Sequence, residues 1–117
     1  MTDHALLAWL GPAATDLTAE QIERVAAESR EIDARYPEDH QHERDAALSA
    51  VVQHLLGETT AEDADRALIA ARRAEREAYA AALQVAVMLV RDGEKKATAA
   101  RRAGVDRMSL LKALGER

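Results

Sequence analysis

The sequence predicts an all-α protein with a helical N-terminal bundle or dimerisation unit, a long connecting helix and a C-terminal helix-turn-helix. Three observations lead to this class. Residues 61–91 contain neither glycine nor proline, so nothing interrupts a helix about 45 Å long. Alanine supplies 27 of the 117 residues and large apolar side chains only 29, which suits closely packed helices rather than a wide core. No segment shows the alternating pattern of a strand.

The first two predicted helices have recognisable starts and stops. Asp3 is the expected N-cap of the first helix, and Gly11, which is followed by a proline, ends it. Thr18 and Gln21 have the spacing of a capping box at the start of the second helix. That helix is expected to end before Pro37, because a proline disfavours helical backbone in the residue that precedes it.

The third predicted helix ends at Gly57, and the fourth begins with a second capping box, Thr59 with Glu62. The first half of the 61–91 segment is charged and rich in alanine, whereas residues 79–90 are apolar on nearly all sides, as in a surrounded helix. One continuous helix and two helices separated by a kink both fit this pattern. The apolar stripe of the third helix consists of Leu48, Val51, Val52, Leu55 and Leu56.

Residues 93–117 have the spacing that a helix-turn-helix requires. Ala100 is the small residue that lets two short helices approach closely, and Gly104 suits a tight turn with positive φ. Val105 is placed to fill the space behind the turn. Leu110 and Leu114, four residues apart, are expected to face inward. The alternative is that these two helices only close a helical bundle.

The stretch "TAARRAGVDRMSLLKAL" resembles the helix-turn-helix of the Fis family (factor for inversion stimulation), which also occurs at the C-terminus of nitrogen-regulatory transcriptional activators. The resemblance covers about residues 79–117 and does not extend into residues 1–60. It implies that the second helix, roughly 106–114, lies in the major groove of DNA with its N-terminal residues at the base edges.

The resemblance also implies a set of DNA contacts. Arg107 matches a family position that contacts DNA, at a guanine edge or a phosphate. Ser109 is expected to bond a base or a phosphate, and Lys112 a phosphate. The residues expected to clamp the flanking backbone are Lys95, Lys96, Arg101 and Arg102.

Three residues depart from the pattern of the family. Leu111 stands where a basic or polar contact residue is usual, and Met108 where a small residue is common. Asp106 is the expected N-cap of the second helix, but it also places a negative charge near DNA. We expect Met108 and Leu111 either to pack against another part of the protein or to touch a thymine methyl group.

Charge is distributed unevenly along the chain. Residues 1–65 carry 15 acids and 4 arginines, and residues 66–117 carry 12 bases and 6 acids, which together give the net charge of −5. One interpretation is that only the C-terminal half faces a polyanion. The other is that both halves are solvated helix faces that attract each other.

No catalytic residue, metal ligand or cofactor is assigned from the sequence, and we do not expect an enzyme. The cluster "DHQHERD" sets His40 and Glu43 at a spacing that suits a metal, but His40 and His42 are not so spaced, and a solvated helix start is the simpler interpretation. There is no cysteine, no apolar run of membrane-spanning length and no basic residue ahead of the apolar N-terminus. We therefore expect a cytoplasmic protein with no membrane contact.

The predicted organisation is an acidic helical interaction region at 1–60, a connecting helix at 61–92 and a helix-turn-helix at 93–117 that packs on residues 79–91. The function expected from it is a small bacterial, sequence-specific DNA-binding protein, a homodimeric transcriptional regulator on double-stranded DNA. Two alternatives remain: a protein–protein module whose acidic half binds a basic partner such as a toxin or a polymerase subunit, and an architectural or packaging DNA-binding protein.

Overall fold

The computed structural model describes residues 2–116, and its all-α architecture confirms the predicted fold class. The chain divides between Ala64 and Asp65 into two compact units, called here the N-terminal and the C-terminal unit. A short 3-10 helix spans Gly11–Thr15. The α-helices are α1 (Asp3–Leu10), α2 (Ala19–Arg35), α3 (Gln41–Leu55), α4 (Ala61–Arg91), α5 (Lys96–Ala103) and α6 (Arg107–Ala113).

The N-terminal unit is built around α2 and α3. Gln21, near the start of α2, donates from Nε2 to the carbonyl of Leu55 at the end of α3. Arg44, near the start of α3, donates to the carbonyl of Tyr36 just after α2 and to that of Asp33. The two helices are therefore antiparallel and hydrogen-bonded at both ends. Helix α1 also contributes to the core of this unit, which consists of Leu6, Leu10, Leu17, Val25, Ile32, Leu48 and Val52.

Helix starts in this unit confirm one capping prediction and correct another. The Thr18 hydroxyl accepts the Gln21 N–H while the Gln21 side chain accepts the Thr18 N–H, so the predicted capping box is present. At α1 the prediction of Asp3 was wrong, since Thr2 is the N-cap and its hydroxyl accepts the Ala5 N–H. Asp3 instead lies in the first turn, where its negative charge interacts favourably with the positive end of the helix dipole.

The predicted pairing of Thr59 with Glu62 was also wrong, and by one residue. The Thr60 hydroxyl accepts the Asp63 N–H at 3.1 Å, and the Asp63 carboxylate accepts the Thr60 N–H at 3.2 Å. The sequence offers both pairs at the same spacing. A glutamate at the third helical position is the commoner partner, but here the shorter aspartate closes the reciprocal pair.

Helix α4 is continuous over all 31 residues of Ala61–Arg91, which decides against a kink. Its two ends differ in their surroundings. Every residue from 65 to 81 is exposed, whereas residues 82–90 include the part of α4 that enters the core of the C-terminal unit. Among residues 2–116, no helix is long and apolar enough to cross a membrane.

The core of the C-terminal unit joins the end of α4 to α5 and α6. Its buried members are mostly small or branched, which allows the three helices to pack closely. The inward positions predicted for Ala100, Val105 and Leu110 are confirmed, because all three residues are buried. The buried members are Ala86, Val87, Ala99, Ala100, Val105 and Leu110, and Leu114 packs against them half-buried.

Candidate nucleic-acid interface

The turn between α5 and α6 is fixed by backbone hydrogen bonds. Gly104 has φ +73°, a left-handed conformation that costs glycine little. The Gly104 N–H donates to the carbonyl of Arg101 at 3.3 Å, and the Val105 N–H donates to the carbonyl of Ala100 at 3.0 Å. This pair of bonds is a Schellman motif, in which an apolar residue after the turn packs on the last turn of the helix. The start of α6 is thereby held against α5.

Asp106 caps α6 as the sequence predicts. Its carboxylate accepts the backbone N–H of Ser109 at 3.0 Å and the Ser109 hydroxyl at 3.3 Å. The carboxylate is therefore engaged with the helix start, where negative charge also complements the helix dipole. The Ser109 side chain is half-buried, and its hydroxyl proton is directed at Asp106.

Helix α6 has one buried face and one exposed face. Leu110 is fully buried, and helical geometry places Met108 and Lys112 on the opposite side, four residues apart. Lys112 is exposed, and 51% of Met108 is accessible. Arg107 is exposed at the first position of the helix, and Leu111 beside it is half-buried. The outward face of α6 is therefore a mixture of two cations and two apolar side chains.

Four of the predicted contact residues are exposed cations without an ion pair among residues 2–116. Arg107 and Lys112 lie on α6, Arg101 on α5, and Lys95 is the N-cap of α5. The positive charge of these four side chains is therefore available to an anionic partner. All four lie on the C-terminal unit, with Lys95 at the start of α5, Arg101 near its end, and Arg107 and Lys112 on α6.

The other two predicted backbone contacts, Lys96 and Arg102, are paired within the C-terminal unit. The Lys96 ammonium contacts the carboxylate of Glu116, 20 residues away. The Arg102 guanidinium donates to Oε2 of Glu94 at 2.7 Å. In each ion pair at least one of the two side chains is exposed, so both pairs are weak and screened by salt. They nevertheless lower the local positive potential that these two residues offer.

Sequence reasoning missed both pairs. Glu94 precedes α5 and Glu116 follows α6, and neither spacing is a helical i,i+3 or i,i+4 relationship. The Glu94 side chain is 20% exposed, and its Oε1 atom is buried without a hydrogen-bond partner in the described residues. The only sequence signal was the presence of acids inside a basic segment.

In the "DHQHERD" segment of the N-terminal unit, His40 contacts Glu43. Nδ1 of His40 lies 3.1 Å from Oε2 of Glu43, and both side chains are about half exposed. Within residues 2–116, no group of three histidine, cysteine or acidic side chains is arranged to hold a metal ion.

The described helices thus define the class of the molecule as all-α, with a basic, turn-linked helix pair in the C-terminal unit. Comparison with protein-family models, with curated proteins and with solved structures gave no match.

Proposed function

We propose that this chain is a sequence-specific DNA-binding protein in which α5, the Gly104 turn and α6 act as a helix-turn-helix. The observation that carries the proposal is the two-faced character of α6. Leu110 anchors one face in the core, while Arg107, Met108 and Lys112 stand exposed on the remainder. A short helix held by its turn and cap presents these side chains in a fixed array, as groove recognition requires.

Each exposed residue has a chemical role in this proposal. Arg107, at the N-terminal end of α6, donates two hydrogen bonds to the O6 and N7 acceptors of a guanine. Lys112 neutralises a phosphate, and so do Lys95 and Arg101 at the edges of the groove. Met108 contacts the C5-methyl group of a thymine, since an apolar side chain gains nothing from a polar base edge.

The proposal includes a homodimer that acts in bacterial transcription. One α6 supplies only two cations, so a single copy makes few base contacts. Two copies on a two-fold symmetric site double these contacts, as dimeric helix-turn-helix proteins do. The acidic N-terminal unit is the part of the chain that DNA repels, and it is therefore left for contact with proteins.

The decisive experiment selects genomic fragments with the purified full-length protein and then measures affinity for a recovered site. The double variant Arg107→Ala, Lys112→Ala is expected to lose specific binding and to keep its helical circular dichroism. The matched control is Arg24→Ala, Arg30→Ala, which removes the same charge from exposed positions on α2 and is expected to bind the selected site. Unchanged affinity of the first variant contradicts the proposal.

A second candidate function, a protein–protein module, is favoured by the 15 acids of residues 1–65. Anisotropy with labelled random duplex at low salt separates the two candidates. Non-specific DNA affinity is largely electrostatic, so a DNA-binding protein gives a signal there. No binding under that condition favours the protein–protein module, and a preference for bent DNA or DNA ends favours an architectural role.

A further inference from the structure

The turn between α4 and α5 places a glutamate where the next turn of the chain has an apolar residue. The Gly93 N–H donates to the carbonyl of Val90 at 3.0 Å. The Glu94 N–H donates to the carbonyl of Leu89, also at 3.0 Å. This is the same Schellman motif as between α5 and α6, where the buried Val105 follows the glycine. An apolar residue is usual at that place because it packs on the last turn of the helix. The stability of the turn therefore does not explain Glu94.

The carboxylate of Glu94 is largely withdrawn from water. Its side chain is 20% exposed, and its Oε1 atom is buried without a hydrogen-bond partner among residues 2–116. Its other oxygen, Oε2, accepts a hydrogen bond from Nη1 of Arg102 at 2.7 Å. A buried carboxylate costs free energy unless its charge is paired, and Arg102 supplies that charge. Glu94 is thus held in place by the packing around it, and Arg102 is held by Glu94.

Arg102 is the exposed member of this pair and keeps most of its hydrogen-bonding capacity. Its side chain is 60% exposed, and its bond to Glu94 uses Nη1 alone. Nε and Nη2, which share another edge of the planar guanidinium, have no partner within residues 2–116. Such an edge carries two parallel N–H groups that bind two oxygens of a phosphate. The ion pair therefore leaves Arg102 able to bind an anion while it restricts the conformations of the side chain.

We infer that Glu94 is a positioning residue for DNA binding, which holds the Arg102 guanidinium on the surface of α5 in the conformation that binds a backbone phosphate. This inference rests on the proposed function and gives a role to a residue outside the predicted set of contacts. A long side chain that is ordered only on binding costs free energy at that moment, whereas one that is ordered beforehand does not. Glu94 also lowers the positive potential at Arg102, but this effect is small because the guanidinium is exposed to solvent.

The pair of Lys96 with Glu116 lacks the features that make Glu94 a positioning residue. The two side chains are 38% and 42% exposed, so neither is held by burial. An ammonium is a point charge without a planar fork, so it gains little from being held in one orientation. Glu116 is therefore expected only to screen Lys96. Removal of the two acids should then change the affinity for DNA in opposite directions.

Anisotropy of a labelled random duplex, titrated with the full-length protein at low salt, tests the inference, since phosphate contacts do not depend on sequence. Glu94→Ala removes a negative charge, so electrostatics alone predicts tighter binding. The positioning role predicts binding that is weaker by about two- to tenfold, the cost of ordering one arginine. Glu116→Ala is the matched control, because it removes the same charge from beside Lys96 and is expected to bind more tightly. Tighter binding by Glu94→Ala overturns the inference.

The conservative variant Glu94→Gln tests whether the hydrogen bond to Arg102 is the cause. Its amide oxygen still accepts from the guanidinium, so it is expected to bind at least as tightly as wild type. Circular dichroism and the urea midpoint are measured for each variant, because Glu94 is mostly buried. A loss in Glu94→Gln as large as that in Glu94→Ala overturns the inference.

Variants of Arg102 separate positioning from a purely structural role of Glu94. Arg102→Lys keeps the charge beside Glu94 and loses the planar fork, so its affinity is expected to fall. Because Arg102 is exposed, this variant gives a result even if Glu94→Ala does not fold, and wild-type affinity overturns the inference. In an Arg102→Ala background, Glu94→Ala is expected to cause no further loss, since no guanidinium is left to position. Equal losses in both backgrounds would show that Glu94 acts through the fold alone.

The same titrations keep this inference apart from the proposed function. A wild-type protein that binds no duplex at low salt refutes DNA binding and the role of Glu94 together. A wild-type protein that binds duplex, with Glu94→Ala equal to it or tighter, refutes only the positioning role. Unchanged binding of the selected site by Arg107→Ala, Lys112→Ala refutes recognition by α6 and leaves the positioning of Arg102 intact.

Discussion

The backbone N–H of Val105 donates to the carbonyl oxygen of Ala100, 3.0 Å away, across the turn at Gly104. Both residues are buried in the core that α5 and α6 share with the end of α4. The hydrogen bond and the apolar contact therefore act on the same pair of residues. Together they fix where α6 begins relative to α5, and so fix the position of Arg107 two residues further on.

Replacing Gly104 with alanine is expected to destabilise the protein by about 1–2 kcal/mol, because the φ of +73° is unfavourable for a residue with Cβ. A Cβ built there meets no atom within 4 Å, so the cost arises from the backbone and not from a clash. Urea denaturation followed by circular dichroism measures the loss. Gly104→Asn is the control and is expected to cost less, since asparagine tolerates this conformation better. Equal losses in the two variants would contradict the backbone explanation.

Leu110→Ala and Met108→Ala are expected to change different properties. The first lowers the stability of the fold, and the second lowers the affinity for DNA. Leu110→Ala removes a fully buried side chain and is expected to cost about 2–5 kcal/mol of unfolding free energy. Met108→Ala changes an exposed side chain and is expected to stay within about 0.5 kcal/mol of wild type. If the DNA-binding proposal holds, Met108→Ala instead weakens affinity for the selected site, and replacing thymine by deoxyuridine there has the same effect. If the affinity does not change when thymine is replaced by deoxyuridine, Met108 does not contact the thymine methyl group as proposed.

Lys112 and Arg107 are expected to differ in how their loss changes the salt dependence of binding. Lys112→Ala removes a phosphate contact, so the slope of log affinity against log salt should fall by about one and all sequences should weaken alike. Arg107→Ala removes a base contact and should relax discrimination at one base pair. Affinity titrations at several salt concentrations, with the selected site and with single base-pair changes, distinguish the two effects. Identical behaviour of the two variants would contradict the assignment.

Thr60 and Thr59 provide a test of the corrected helix start. Thr60→Ala removes the hydroxyl that accepts the Asp63 N–H and is expected to cost about 1 kcal/mol. Thr59→Ala leaves that hydrogen bond in place and is expected to change stability little. The two denaturation midpoints, measured under the same conditions, decide between Thr60 and Thr59. A larger loss for Thr59→Ala would restore the pairing with Glu62.

Short-range patterns in the sequence predicted the local structure well. Thr18 with Gln21, Gly104 and Asp106 each act through neighbours within a few residues, and all three do what their spacing predicts. Where two patterns overlapped, the sequence had no means of choosing. Thr59 and Thr60 both have an acid three residues on, and in the structure Thr60 pairs with Asp63.

The sequence predicted only in part which of the basic side chains proposed to contact DNA are exposed and which are paired with acids. Arg107 and Lys112 are exposed as the α6 pattern requires. Lys96 and Arg102 are engaged by Glu116 and Glu94 instead, through contacts that no helical period relates. Sequence alone thus located the basic residues but not the acids that face them.

By itself the sequence determined the all-α class and the turn at Gly104, because helix propensity, capping and positive φ are local properties of the chain. Only the tertiary structure decided which faces of the helices stay exposed. It kept α4 continuous, left Met108 and Lys112 exposed, and left residues 65–81 of α4 exposed. Burial is set by where the other helices pack, and that depends on contacts between residues far apart in the chain.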